Sequence, residues 1–215
     1  MTRVKICGIK EIEHAVAAAE AGTDFIGMVF ALSKRRVTPE KARLIAAAIR
    51  KLPHRPALVG VFVNAPAAAV NQIAADCQLN WVQLSGEEPW QYCRGISLPV
   101  IQVLHVPAAK NSPKITHNIT TGLSICREKK LICLLDTQAT DAHGGTGQTF
   151  DWRVAQEVAA RYPLMVAGGL TPDNVVQLMQ EVHPWGVDVS SGVETDGKKD
   201  IAKIKAFIKA VRAAG

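Results

Sequence analysis

A thiol and a carboxyl close two apolar runs that lie far apart in the chain. Cys7 ends Val4-Lys5-Ile6-Cys7, Asp136 ends Leu131-Ile132-Cys133-Leu134-Leu135-Asp136, and each leads into a loop that contains glycine. Cysteine is often plain buried filler. A carboxyl at the end of a wholly apolar strand is different, because it is costly there unless it caps, pairs or is kept neutral to donate a proton. In parallel α/β proteins the C-terminal strand ends form the functional rim, so the two groups can face one small ligand, and proton transfer is the first chemistry they suggest.

Other residues fit an anionic ligand. Val166-Ala167-Gly168-Gly169-Leu170-Thr171-Pro172 and Val187-Asp188-Val189-Ser190-Ser191-Gly192-Val193-Glu194 are turns of small residues. Such turns leave backbone N–H groups uncovered, which suits a phosphate, although each alone reads more readily as a tight turn. Arg35 and Arg36 offer a guanidinium fork for a carboxylate or phosphate; an exposed surface pair is the plainer alternative. Gly144-Gly145-Thr146-Gly147-Gln148-Thr149 lacks the lysine of a P-loop, so it reads as a cover over a site, with His143 a solvated loop residue before it is an acid or base.

Periodicity defines the elements that must position these groups. Strands are predicted at Val4–Cys7, Asp24–Phe30, Ala57–Val63, Trp81–Leu84, Val100–His105, Leu131–Asp136, Leu164–Ala167 and Gly186–Val189. Helices are predicted at Glu11–Ala21, Pro39–Arg50, Ala67–Cys77, Pro89–Arg94, Ile115–Arg127, Asp151–Tyr162, Thr171–Val182 and Asp200–Ala213. Thr38-Pro39, Asn64-Ala65-Pro66 and Thr171-Pro172 supply start signals. Eight βα alternations in 215 residues predict a single-domain, parallel eight-stranded (β/α)₈ TIM barrel over residues 1–215. A doubly wound sheet is the runner-up, but the first strand leads into Cys7-Gly8-Ile9-Lys10 where a dinucleotide fold wants G-x-G-x-x-G. In a barrel the two small-residue turns follow strands seven and eight, a frequent phosphate position.

Composition excludes several classes. Hydrophobic residues make up 48% of the chain, with no linker or low-complexity tract and no apolar run approaching the roughly 20 residues of a membrane span. The start lacks a secretory h-region, so a cytoplasmic protein is expected. Five scattered cysteines without a C-x-x-C pair, and histidines without ligand spacing, predict neither disulfides nor a metal site. The net charge of +6 suits a small anionic substrate. Nucleic acid is disfavoured because the densest basic group, Lys198, Lys199, Lys203, Lys205, Lys209 and Arg212, accompanies Ile201, Ile204, Ile208 and Val211 at helical spacing. That pattern predicts a core-docking helix with a solvated basic face.

Taken in order, Arg3-Val4-Lys5-Ile6-Cys7-Gly8-Ile9, Gly60-Val61-Phe62-Val63-Asn64, Val82-Gln83-Leu84, Leu134-Leu135-Asp136 before Gly144-Gly145-Thr146-Gly147, Phe150-Asp151-Trp152, Gly168-Gly169-Leu170 and Val187 through Glu194 resemble the phosphoribosylanthranilate isomerases of tryptophan biosynthesis. The resemblance implies an Amadori rearrangement of N-(5-phosphoribosyl)anthranilate without metal or organic cofactor. By that likeness Asp136 is the general acid and Cys7 the general base. Arg35 matches the arginine for the anthranilate carboxylate, Asp188 a ribose-hydroxyl contact, and Gly168, Gly169, Ser190, Ser191 and Gly192 the phosphate cradle. A thiolate base needs its usual pKa of ~8.5 lowered by positive charge, from Lys5, a helix N-terminus or the cationic intermediate. One departure is visible: the family usually has His-Gly-Glu after the fourth strand, and this chain has Ser85-Gly86-Glu87. Another phosphosugar barrel enzyme and a non-catalytic phosphosugar-binding protein are the competing readings. The oligomeric state, monomer or homodimer, stays open.

Overall fold

The computed structural model describes residues 1–106, 112–128, 130–137 and 152–215. The Gly144–Thr149 segment, His143 and the predicted helix start at Asp151 lie outside these residues. The strands are β1 (Arg3–Cys7), β2 (Phe25–Val29), β3 (Ala57–Phe62), β4 (Trp81–Leu84), β5 (Val100–Val106), β6 (Leu131–Thr137), β7 (Leu164–Val166) and β8 (Gly186–Val189). They form a closed parallel barrel in sequence order. The ring closes where β1 pairs with β8, placing Lys5 opposite Asp188. On its other side β1 pairs with β2, placing Lys5 opposite Phe25 and Cys7 opposite Gly27.

The helices are α1 (Ile12–Glu20), α2 (Pro39–Ile49), α3 (Ala67–Asp76), α4 (Ser112–Ile125), α5 (Arg153–Ala159), α6 (Val175–Val182) and α7 (Ile201–Ala214). Thr38 caps α2 as its sequence predicts, its side chain accepting from the Lys41 amide. Three predicted starts differ, and α4 begins at Ser112, ahead of the predicted Ile115. Pro89–Arg94 forms a 3₁₀ turn over Trp90–Gly95, too short to propagate an α-helix. Thr171–Asn174 is a turn ahead of α6, in which Asn174 Oδ1 accepts from the Thr171 amide and Nδ2 donates to the Gly169 carbonyl.

Strand alternation divides the core in two. One set of side chains, including Val4, Ile6, Ile26, Met28 and Leu84, packs against the helices. The other set, Phe25, Val59, Trp81, Ile101, Val103, Ile132, Leu134, Met165 and Ala167, fills the barrel. Phe25 meets Trp81 edge-on at 6.0 Å between ring centroids and plugs the N-terminal end. The same interior face turns polar at the C-terminal end, with Lys5, Gln83 and Asp188 all buried. An apolar plug beneath a polar layer gives a shallow pocket with a dry floor, so charges in that layer interact strongly.

Helix α7 buries Ile204, Phe207, Ile208 and Val211 and leaves Lys203, Lys205 and Lys209 exposed, as the pattern predicts. Two of the basic residues depart from the solvated face. Arg212 donates to the Thr2 and Gly22 carbonyls and to Asp24 at the barrel's N-terminal end, and Lys199 is buried.

Candidate active site

The deepest charged group is Lys5, which is fully buried on the inner face of β1. Its Nζ donates to Asp188 Oδ2 at 2.9 Å. Burial alone would lower the Lys5 pKa, but Asp188 and the neighbouring Cys7 outweigh it, so the net shift is upward and the ammonium is kept. Cys7 sits two residues along the same face. Burial pushes its thiol up, and Lys5 opposes that without overcoming it. The expectation that Lys5 lowers the thiol's pKa is therefore met in sign but not in outcome: desolvation is the largest effect, and Asp188 works against the ammonium. The space for both side chains comes from β2, because a Cβ at Gly27 would stand 2.8 Å from Cys7 Sγ and 3.2 Å from Lys5 Cε.

The two small-residue turns come together at the ends of β7 and β8. Gly168 and Gly169 adopt φ of 91° and 64°, the left-handed region that glycine enters without strain. Gly192 lies so close to the Leu170 carbonyl that a side chain there would collide with it. Asn174 fixes the first turn through its two hydrogen bonds. The second is tied to β1 by Ser190 Oγ, which donates to the Cys7 carbonyl at 3.2 Å. Lys199 Nζ donates to the Ser190 carbonyl at 2.8 Å, so a buried ammonium stands behind the turn.

Arg35 arches over the end of β1, and the positive-φ Gly8 permits it, since a Cβ there would stand 2.6 Å from Arg35 Cδ. Its Nε and Nη2 donate to the two carboxylate oxygens of Glu194 at 2.7 and 2.8 Å. Lys199 donates to the same carboxylate at 2.8 Å. Burial pushes the Glu194 carboxyl up, but the Arg35 and Lys199 donors override it and hold its pKa at about 2. Two of the three guanidinium nitrogens are thus committed to the protein, and Nη1 is the one outside the fork. Arg36 is exposed, which settles which arginine of the pair turns toward the rim.

Cys7, Asp136, Gly168, Gly169, Asp188, Ser190, Ser191 and Gly192 line one cavity of about 210 Å³ at the C-terminal mouth of the barrel. Every site residue predicted from the sequence except Arg35 lines this space, and Arg35 reaches its edge over Gly8. Gln83 also lines it. Sequence reasoning did not single out three residues that shape this site. Gln83 carried a signal, a lone polar side chain at an inward position of Trp81-Val82-Gln83-Leu84. Glu194 and Lys199 carried none, since the fold alone brings them to Arg35. Among the described residues no group of three or more His, Cys, Asp or Glu side chains is placed to hold a metal, and no helix is long and apolar enough to cross a membrane.

Residues 4–210 match the family model for N-(5'-phosphoribosyl)anthranilate (PRA) isomerase. An N-(5'-phosphoribosyl)anthranilate isomerase from Dehalococcoides mccartyi is 50% identical over 212 residues, covering 99% of this chain and 96% of the relative. A structure of mutually generated monomers of the dimeric phosphoribosylanthranilate isomerase from Thermotoga maritima superposes with a TM-score of 0.80 at 40% identity, covering 99% of this chain and 100% of that one. A phosphoribosyl anthranilate isomerase in complex with reduced 1-(o-carboxyphenylamino)-1-deoxyribulose 5-phosphate does so with a TM-score of 0.80 at 39% identity, over the same shares.

Proposed function

We infer the roles of the rim residues from one premise: the chain belongs to the N-(5'-phosphoribosyl)anthranilate isomerase family. It catalyses the Amadori rearrangement of N-(5-phosphoribosyl)anthranilate to 1-(2-carboxyphenylamino)-1-deoxy-D-ribulose 5-phosphate in tryptophan biosynthesis. In the mechanism we propose, Asp136 protonates the furanose ring oxygen. The C1–O bond breaks as the nitrogen lone pair forms a C=N iminium. Cys7 removes the C2 proton, and the electrons of that C–H bond form the C1=C2 double bond and return the nitrogen to neutrality. The enolamine then loses its C2 hydroxyl proton and gains one at C1, giving the ketone.

The raised thiol of Cys7 fits this order of events. Before ring opening the thiol stays protonated; the iminium that forms then lowers its pKa, and the thiol's proton passes to solvent before Cys7 takes the one at C2. A positive charge ~4 Å from the sulfur is worth about 4 kcal/mol at an effective dielectric constant of ~20, or nearly three powers of ten in acidity. Lys5 adds to that bias, and its bond to Asp188 keeps the carboxylate turned toward the cavity. Asp188 meets a ribose hydroxyl, the turns at Gly168-Gly169 and Ser190-Ser191-Gly192 take the phosphate, and Arg35 Nη1 takes the anthranilate carboxylate.

The observation that carries this reading is the single cavity shared by Cys7, Asp136, Asp188 and both turns. Complementation of a tryptophan auxotroph lacking this step tests it. The wild-type gene should restore growth, Cys7→Ser and Asp136→Asn should not, and Cys77→Ser, altered at the buried thiol that ends α3, should. A cytoplasmic location and, by likeness to the dimeric relative, a homodimer complete the proposal; sedimentation of the purified protein reads the latter.

A further inference from the structure

We propose that Gln83, held in place by Ser85, accepts a hydrogen bond from the C3 hydroxyl of the phosphosugar, and that Ser85 is a positioning residue acting through it. The inference rests on the isomerase reading and extends it to a residue on the opposite wall of the site.

Gln83 is only 6% exposed, and its Oε1 is fully buried with no partner among the described residues; the same holds for Asp188 Oδ1, in a residue 7% exposed. Both residues line the catalytic cavity, and β4 stands across the eight-stranded ring from β8. Two acceptors cannot satisfy each other, so both require donors from whatever fills the space between them. Each is fixed by its other arm: Asp188 Oδ2 by Lys5 at 2.9 Å, and Gln83 Nε2 by donation to Ser85 Oγ at 3.0 Å. Ser85 is itself anchored, its amide donating to the Phe62 carbonyl at 2.9 Å and its carbonyl lying 3.2 Å from His105 Nε2. The sequence places a serine where the family usually has histidine, and the contact to Gln83 gives that serine a function.

The chemistry selects the hydroxyl. The furanose substrate offers donors at C2 and C3. The C2 oxygen ends as a ketone with no proton to give, so C3 alone offers a donor from substrate to product.

The test is calorimetric binding of reduced 1-(2-carboxyphenylamino)-1-deoxyribulose 5-phosphate and of inorganic phosphate. Gln83→Met should raise the Kd of the reduced product roughly tenfold, the usual scale for one lost hydrogen bond, and leave that of phosphate unchanged. Ser85→Ala should weaken the same ligand several-fold, Ser85→Thr should restore it, and the Gln83→Met/Ser85→Ala pair should bind no worse than Gln83→Met alone. Removing the C3 hydroxyl from the ligand should cost wild-type protein about tenfold, a measurement that needs no variant to fold. Wild-type affinity in Gln83→Met, an equal loss for phosphate, additive losses in the pair or full affinity for the C3-deoxy ligand would each overturn the proposal. Failure of the acid and base assignment would instead appear in the turnover of Cys7 and Asp136 variants and leave these affinities standing.

Discussion

Replacing Gly27 by alanine perturbs catalysis without altering any group that touches the substrate. The added Cβ would lie 2.8 Å from Cys7 Sγ, 3.1 Å from Cys7 Cα and 3.2 Å from Lys5 Cε. Ordinary contact begins at about 3.5 Å, so the sulfur must yield by roughly 0.7 Å. Because the new methyl also presses on the backbone of Cys7, rotating the thiol does not relieve the clash, and β1 must shift against β2. A reacting atom misplaced by ~1 Å costs on the order of 10²-fold. We expect kcat to fall about 10- to 100-fold, with KM changed little because the phosphate turns stand on β7 and β8. Overpacking should also cost about 1–3 kcal/mol of stability. Steady-state kinetics beside a thermal melt separates the two effects, and Gly95→Ala is the control, since its nearest neighbour would be Ala67 Cβ at 3.5 Å. A folded Gly27→Ala protein with kcat within twofold of wild type would refute the claim that the thiol's position governs the reaction.

Glu194 ties acid stability to the arm that holds Arg35. Its pKa falls from an ordinary 4.5 to about 2 on folding, so its contribution is complete above pH 4.5 and disappears as pH falls through about 2. The difference is on the order of 3 kcal/mol. Urea titrations should show Glu194→Gln less stable than wild type by up to that amount at pH 7, with the gap closing below pH 4.5; a pH-independent gap would contradict the pairing. Arg35→Ala should lower kcat/KM by about 2–4 kcal/mol in transition-state terms with folding intact, while Arg36→Ala, at an exposed residue, should be nearly silent in the same kinetic assay. Burial raises the Cys7 thiol, and Asp136 must keep its proton while Cys7 loses its own, so kcat/KM should be bell-shaped in pH with one limb set by the thiol. The corresponding limb of kcat should sit lower, because the bound iminium stabilises the thiolate; coincident limbs would show that the substrate's charge plays no part.

The strand ends were legible because the barrel buries both faces of its strands, and short apolar runs broken by a polar side chain report that directly. Cys7, Asp136 and the two turns stood out as chemistry at such ends. Boundaries were less clear where hydrogen bonds between distant residues decide them. The turn at Thr171–Asn174 depends on Asn174 reaching back to Gly169, and the 3₁₀ turn over Trp90–Gly95 is held partly by Asn71 Nδ2 donating to the Gly95 carbonyl at 2.7 Å. The supporting network was hidden for the same reason. Lys199 belongs by sequence to a basic run, yet the antiparallel pairing of Lys198–Lys199 with Glu194–Thr195 turns it inward against Glu194. Nothing local marks Gly27 either, since its role is to be absent from the space that β1 fills. Its register opposite Cys7 is a property of the closed ring.

The mechanism stands on Cys7 and Asp136 as base and acid, and the most direct measurement is kcat of Cys7→Ser and Asp136→Asn at saturating substrate, with binding of the reduced product confirming an intact site. Serine keeps the shape of Cys7 but is a far weaker base, and asparagine keeps hydrogen bonding without a transferable proton. Each should lose about 10²–10⁴-fold in kcat while binding the reduced product within a few-fold of wild type. Near-wild-type kcat in either variant would contradict the mechanism, and near-wild-type kcat in both would move the proton transfers to other residues of the rim.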